Sequence, residues 1–276
     1  GFKGEIYPVN PKYKQVFGLP CYPTLKSLPS VPEAVAISVQ FKFVKDVVEE
    51  CAELGVKACT IYTSGFAEYS KEGEQVQEEI SEIANRAQIR VCGPNCLGHF
   101  NFQNNTGLYS GSVPIDMKSG GVSIVSQSGS MAIAMLYAFK DVGANHVISY
   151  GNQAVLDISD YFMYLSKDPD TKVITAYIEG FTDGEKFIRS VNECRKNGKA
   201  VVVLKIGKSE MGRKVALSHT ASIVGSHDVI SAAFEEHGVL EVDDIDEMRQ
   251  TVIALLKTKP VMTDGVLALS ISGGQC

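Results

Sequence analysis

The sequence predicts an α/β protein built as two successive parallel sheets with helices on both faces. Three observations carry this. Short runs rich in Val, Ile and Ala, such as 34–39 and 200–206, read as strands buried on both faces rather than strands with one wet side. Segments with apolar residues at every third or fourth position separate them, as crossover helices between parallel strands require. The 276 residues exceed one average domain, and two is the natural division.

In chain order, the first unit opens with a strand at 5–8. A buried strand at 34–39 leads into a helix at 42–54, where Phe43, Val44, Val47, Val48, Cys51 and Leu54 recur at helical spacing and Gly55 is placed to stop the helix. A strand at 57–62, a helix at 74–87 and a short strand at 90–92 before Gly93-Pro94 complete the unit. A second series follows the loop around 111–119. Its strands at 121–126, 146–150, 173–179 and 200–206 alternate with helices at about 128–139, 156–165, 186–196 and 229–237. The boundary between the units is placed near residue 115. A strand at 266–271 running into Ser272-Gly273-Gly274 reads as the opening of a third α/β unit, 259–276. The first unit lacks the leading strand and Gly-rich turn that normally open a doubly wound nucleotide-binding domain, so both ends read as breaks inside a longer protein.

Composition excludes several classes. A net charge of −6 argues against nucleic acid as the main partner, because phosphate backbones require clustered Lys and Arg. No apolar run is long enough for a membrane span, and Gly1-Phe2-Lys3-Gly4 does not begin a signal peptide. The seven cysteines are odd in number and scattered, which fits reduced thiols and a cytoplasmic location better than a disulfide framework. Cys92, Cys96 and His99 have no fourth ligand nearby, so turn packing is the reading and no metal site is expected.

Four segments could carry chemistry. The turn after the first strand holds Val9, Asn10, Lys12 and Lys14 and no carboxylate. In a dinucleotide fold this position meets the adenosine ribose, and lysine suits a phosphorylated ribose such as that of CoA; a solvated turn is the alternative. Ser126-Gln127-Ser128-Gly129-Ser130 joins a strand to a helix, where main-chain amides and the helix dipole can bind phosphate. Plain helix capping is the alternative there. A nucleophile elbow would need glycine where Ser126 stands. The loop of Ala216-Leu217-Ser218-His219-Thr220-Ala221-Ser222 presents a histidine, a nucleophile toward phosphoryl groups when not merely exposed. Glu179 ends a strand, on the side of an open sheet where ligands bind, and its carboxylate could orient a loop histidine; an exposed strand-end carboxylate is the alternative.

Seven stretches, in order, carry a resemblance: IYPVNPK at 6–12, YTSGFAE at 62–68, GPNCLGHFN at 93–101, VSIVSQSGSM at 122–131, SYGNQAVLDISDYFMYL at 149–165, YIEG at 177–180 and ALSHTASIVGS at 216–226. The set resembles the NDP-forming acyl-CoA synthetase superfamily, which includes succinyl-CoA ligase α subunits and ADP-forming acetyl-CoA synthetases. The resemblance implies a CoA-binding Rossmann-like domain at 1–112 and a flavodoxin-like ligase domain at 118–258. It implies that Val9, Asn10, Lys12, Lys14, Ser64, Gly65 and Asn95 contact CoA, and that Gln127, Ser128, Gly129 and Ser130 cradle phosphate. His219 would be the phosphohistidine and Glu179 its carboxylate partner. The implied reaction converts carboxylate, CoA and ATP to acyl-CoA, ADP and phosphate, reversibly, through acyl phosphate and phosphohistidine. ATP, ADP and Mg²⁺ would be bound mainly by an ATP-grasp domain, in cis or on a β subunit, and an oligomer is expected. The rival is a non-catalytic CoA-sensing or small-ligand-sensing module of a protein acetyltransferase; an intact His219 and Glu179 favour the enzyme.

Overall fold

The computed structural model, which describes residues 2–207 and 227–257, holds a three-stranded parallel sheet and a larger, mostly parallel one. His219 and the expected third unit at 259–276 lie outside the described residues.

The expected strand at 5–8 does not form. The segment is extended but forms no ladder; it lies along the neighbouring loop, with Tyr22 N–H donating to the Pro8 carbonyl at 2.9 Å and Asn10 N–H to the Tyr22 carbonyl at 2.8 Å. Pro8 has no N–H to give a ladder, and among the described residues only Tyr22 bridges to this stretch, at Val9. Two very short strands follow instead, β1 (Gln15–Val16) and β2 (Leu19–Pro20), joined by Phe17 and Gly18 at positive φ. The first sheet proper is β3 (Ala34–Ile37), β4 (Ala58–Ile61) and β5 (Arg90–Cys92), all parallel. Helix α1 (Val44–Leu54) stops at Gly55, whose φ of 74° is the left-handed cap expected of glycine. Helix α2 (Lys71–Arg86) begins one turn earlier than expected, because Ser70 caps it by accepting from Gly73 N–H. Ile37, Val48, Ile61, Phe66 and Ile80 centre the core of this lobe.

Among the described residues, the second sheet has seven strands. A hairpin absent from the sequence reading, β6 (Gly98–Asn101) and β7 (Thr106–Tyr109), pairs antiparallel onto its edge. The parallel part is β8 (Ser119–Ser126), β9 (Ala144–Ser149), β10 (Val173–Ile178), β11 (Ala200–Lys205) and β12 (Val239–Val242), in the order β12-β11-β10-β8-β9-β6-β7. Helices α3 (Gly129–Ala138) and α7 (Ile245–Lys257) cover one face; α4 (Ile158–Lys167), α5 (Gly184–Lys196) and α6 (His227–His237) cover the other. The strands divide their side chains accordingly: Val201 and Val203 join the layer under α4 and α5, whereas Val202 and Leu204 join the layer under α3 and α7. Strand β12 and helix α7 were not read from the sequence, although Met248 and Val252 of α7 are fully buried at helical spacing.

The lobes are fastened by the loop after β9. Asn152 and Ala154 donate main-chain N–H groups to the Pro94 and Gly93 carbonyls at 2.9 and 3.0 Å, and Leu156 donates to Val91 at 3.2 Å. Ser81 Oγ of α2 adds a bond to the Ala154 carbonyl at 2.7 Å. Gly151 makes this approach possible: a Cβ there would lie 2.2 Å from the Pro94 carbonyl oxygen.

Candidate functional site at the switch point

Strand β8 connects through α3 to β9 on one side, and the chain then returns through α4 to β10 on the other side of β8. An open parallel sheet places its ligand crevice at such a reversal, outside the carboxyl ends of the two strands. Here those ends are the Ser126–Ser130 turn and Glu179-Gly180.

Ser128 is the N-cap of α3. Its Oγ accepts from Met131 N–H at 3.4 Å and lies 3.0 Å from Ser130 Oγ, while Ser126 Oγ donates to the Ser128 carbonyl at 2.6 Å. The hydroxyl is therefore used to shape a helix start. The amides of the first turn have no intrahelical acceptor and point out of the helix end, toward an anion when one is present. Gly129 lets this turn lie against the first lobe, since a Cβ would fall 2.9 Å from Leu97 Cγ. Leu97 is itself fixed by its N–H donating to Ser149 Oγ at 3.1 Å.

Gln127 differs from its expected neighbours. It is buried, its N–H donates to the Tyr177 carbonyl, and its Oε1 accepts from Glu179 N–H at 2.9 Å and Gly180 N–H at 3.2 Å. Its amide oxygen is committed to the end of β10. Glu179 is half-buried just beyond that strand. Burial and, next, the Glu179 charge raise the Tyr177 hydroxyl to about 12, and burial with the Glu179 and Asp157 charges raises Tyr150 as well.

One further residue belongs here that sequence reasoning missed. Lys205 closes β11, is 2% exposed, and donates from Nζ to the Glu179 carbonyl at 2.7 Å and the Ile206 carbonyl at 2.5 Å. Burial lowers its pKa to about 8, against the opposing pull of Glu179 and Glu241. The signal was present in the strand AVVVLK, where a lysine ends an aliphatic run. The chain leaves this edge after Lys205 and re-enters it at His227, whose Nδ1 lies 3.8 Å from Glu241 Oε1. Ser231 Oγ donates to the other Glu241 oxygen at 2.8 Å.

The residues expected on CoA fall into two groups. Ser64, Gly65 and Asn95 follow β4 and β5. Gly65 and Phe66 donate N–H groups to the two Glu68 oxygens at 2.7 and 3.1 Å. Asn95 donates N–H to the Thr63 carbonyl at 2.9 Å, and its Nδ2 donates to Asn152 Oδ1 at 3.3 Å. Asn152 Nδ2 in turn donates to Glu68 Oε2 at 2.5 Å. This group thus adjoins the second lobe where Gly93–Leu97 meets the loop after β9. Val9, Asn10, Lys12 and Lys14 stand apart from it: Asn10 Oδ1 accepts from Lys12 N–H at 2.9 Å, and the Lys14 carbonyl accepts from Cys21 N–H at 2.9 Å. Both lysines are exposed.

Cys92 and Cys96 direct their thiols to the Ser149 and Ile61 carbonyls. Among the described residues, no three His, Cys, Asp or Glu side chains are grouped to hold a metal, and no helix is long and apolar enough to cross a membrane.

A family model described as a CoA binding domain matches residues 2–101, and one described as a succinyl-CoA ligase like flavodoxin domain matches residues 119–255. The chain belongs to the NDP-forming acyl-CoA synthetase superfamily. Within this superfamily it is 38% identical over 276 residues to acetate–CoA ligase (ADP-forming) I of Archaeoglobus fulgidus, a match covering 99% of this chain and 39% of that protein. It is 38% identical over 273 residues to the acetate–CoA ligase (ADP-forming) II subunit alpha of Pyrococcus furiosus, covering 98% of this chain and 58% of the subunit. The dinucleotide forming acetyl-coenzyme A synthetase 1 of Ca. Korarchaeum cryptofilum, solved with phosphate and ADP, superposes with a TM-score of 0.85 at 34% identity, over 92% of this chain and 55% of that one. The chain therefore spans less than two-thirds of the length of these synthetases. The order of β8 to β12, with its reversal between β8 and β10, is the flavodoxin-like arrangement expected for the ligase domain of the superfamily.

Proposed function

We propose that this chain is the CoA-handling, phosphoryl-carrying part of an NDP-forming acyl-CoA synthetase. The reaction joins a carboxylate to CoA at the expense of ATP, releasing ADP and phosphate, and runs in both directions. The observation that carries the reading is the switch-point crevice. The amino end of α3, with Ser128 as its cap, faces the end of β10 that holds Glu179, and the connection bearing His219 leaves and rejoins the sheet at that same edge.

His219 accepts the phosphoryl group through an imidazole nitrogen, and Glu179 holds the ring in the tautomer that leaves this nitrogen nucleophilic. The amides of Gly129 and Ser130 meet the charge that develops on the phosphoryl oxygens, where pre-oriented dipoles contribute most. CoA lies on the first lobe, with Ser64, Gly65 and Asn95 beside its reactive end and Lys12 and Lys14 toward the ribose phosphate. Nucleotide and Mg²⁺ belong to an ATP-grasp domain, in cis or on a β subunit, and the protein works as an oligomer in the cytoplasm. The sensing-module alternative draws no support from the relatives, which are ligases.

Radiolabelled ATP and Mg²⁺, given to the chain with an ATP-grasp partner, should yield an acid-labile phosphoryl group on His219. His219→Asn should abolish the label, and Glu179→Gln should reduce it. Mass spectrometry placing the phosphate on Ser128 or on another histidine refutes the assignment.

A further inference from the structure

The main chain at Glu179 is gripped from both sides. From the β8 side, Gln127 Oε1 takes the N–H groups of Glu179 and Gly180 at 2.9 and 3.2 Å. From the β11 side, the Lys205 ammonium donates to the Glu179 carbonyl at 2.7 Å. Both gripping side chains are buried, at 6% and 2% exposure. The Lys205 side chain is not what a strand end needs for stability alone. An aliphatic residue at 205 would continue the pattern of Val201–Leu204, and a buried ammonium is retained only against a large desolvation penalty.

We propose that Gln127 and Lys205 form a clamp that positions Glu179 for phosphoryl transfer, with the ammonium charge as its working part. This rests on the reading of His219 and Glu179 given above. Lys205 touches no substrate in this account; it acts through the peptide it holds. Gln127, expected on phosphate from the sequence, is here the opposite jaw.

The charged groups that face Lys205 are Glu179 at the end of β10 and Glu241 on β12, the latter met by Ser231 and His227 of α6. Both carboxylates favour the ammonium, while burial disfavours it, so Lys205 loses its proton near pH 8. The clamp is charged below that pH and neutral above it.

Three measurements test this on the chain with its ATP-grasp partner. The rate of His219 labelling is followed from pH 6.5 to 9.5 in the wild type and in Lys205→Met. The clamp predicts a fall through about pH 8 in the wild type and a slower rate, roughly tenfold, without that fall in the variant. The same substitutions are then made on a Glu179→Gln background. There, Lys205→Met and Gln127→Leu should add little further slowing, because the group they position is already removed. Full additional slowing on that background, or an unchanged wild-type-like rate in Lys205→Met, overturns the clamp. Amide exchange at Glu179 and Gly180, read by NMR, needs no turnover. It should quicken in both variants, and unchanged exchange overturns the clamp whatever the labelling shows. Quickened exchange in a protein whose wild type is never labelled would show that Gln127 and Lys205 hold the Glu179 peptide but would refute the phosphohistidine reading and, with it, the clamp's role in transfer. Should Lys205→Met fail to fold, Gln127→Leu and the wild-type pH profile carry the same decision.

Discussion

Glu68 offers the sharpest test of how the two lobes are joined. One oxygen of its carboxylate accepts from Gly65 N–H at 2.7 Å, and the other accepts from Phe66 N–H at 3.1 Å and from Asn152 Nδ2 at 2.5 Å. The first two bonds shape the loop carrying Ser64 and Gly65; the third crosses to the loop after β9. Hydrogen bonds to a charged acceptor contribute about 1.5–3 kcal/mol each, but they are not additive within one network, and the site is only half-buried. Glu68→Ala should therefore destabilise the chain by about 2–4 kcal/mol in urea unfolding, a range set by the three donors left without an acceptor. Glu68→Gln keeps one acceptor oxygen but turns an amide NH₂ toward a donor, so its cost should be about half as large. If the proposed CoA site is right, CoA affinity should fall in both variants, because the loop carrying Ser64 and Gly65 loses its anchor. An unfolding free energy within about 0.5 kcal/mol of wild type in Glu68→Ala would refute the account, since surface substitutions without a structural role fall in that range.

Three further outcomes follow from the geometry. Lys205 has a folded-state pKa near 8 against an ordinary value near 10.5, so the unfolded chain binds its proton more tightly. Its penalty on stability is complete below pH 8 and is relieved as pH rises toward 10.5, a gain of roughly 3 kcal/mol that denaturant midpoints should show in the wild type and not in Lys205→Met. Gly129→Ala puts a methyl group against Leu97 and should slow His219 labelling by displacing the start of α3; the double variant with Leu97→Ala should recover part of the rate, and no recovery would remove the steric explanation. Calorimetry should find CoA bound more tightly than 3′-dephospho-CoA, by about 1–3 kcal/mol for a charge-assisted contact, and Lys12→Ala with Lys14→Ala should erase the difference. Equal affinities in the wild type would remove both lysines from the CoA site.

The alternation of strands and helices was most legible where the central strands of the second sheet, β8 to β11, are covered on both sides. Val201 through Leu204 are all buried, and a short, β-branched run of this kind reads as a strand covered on both faces. The hairpin of β6 and β7 was not legible in the same way. Its strands are four residues each, carry His99, Asn101 and Gly107, and rely on the edge of β9 for partners. Its Asn104-Asn105 turn between Phe102 and Thr106 is the local sign of a hairpin. The strand expected at 5–8 failed for the opposite reason: the local pattern was right, but among the described residues its only bridging partner is the loop residue Tyr22.

The sequence by itself determined the two α/β units, the helix start at Ser128, the candidacy of His219 and Glu179, and the superfamily. Each of these lies in a contiguous stretch whose period, capping residue or motif reports on its own surroundings. Tertiary structure alone decided that β8 and β10 are neighbours, and with that the grip of Gln127 and Lys205 on Glu179. It also decided that Glu68, Asn95 and Asn152 close one seam between the lobes. Strand order sets which chain ends face each other, and side-chain periodicity carries no information about strand order. Residues 78 positions apart, Gln127 and Lys205, therefore come onto the same peptide only when the sheet has assembled.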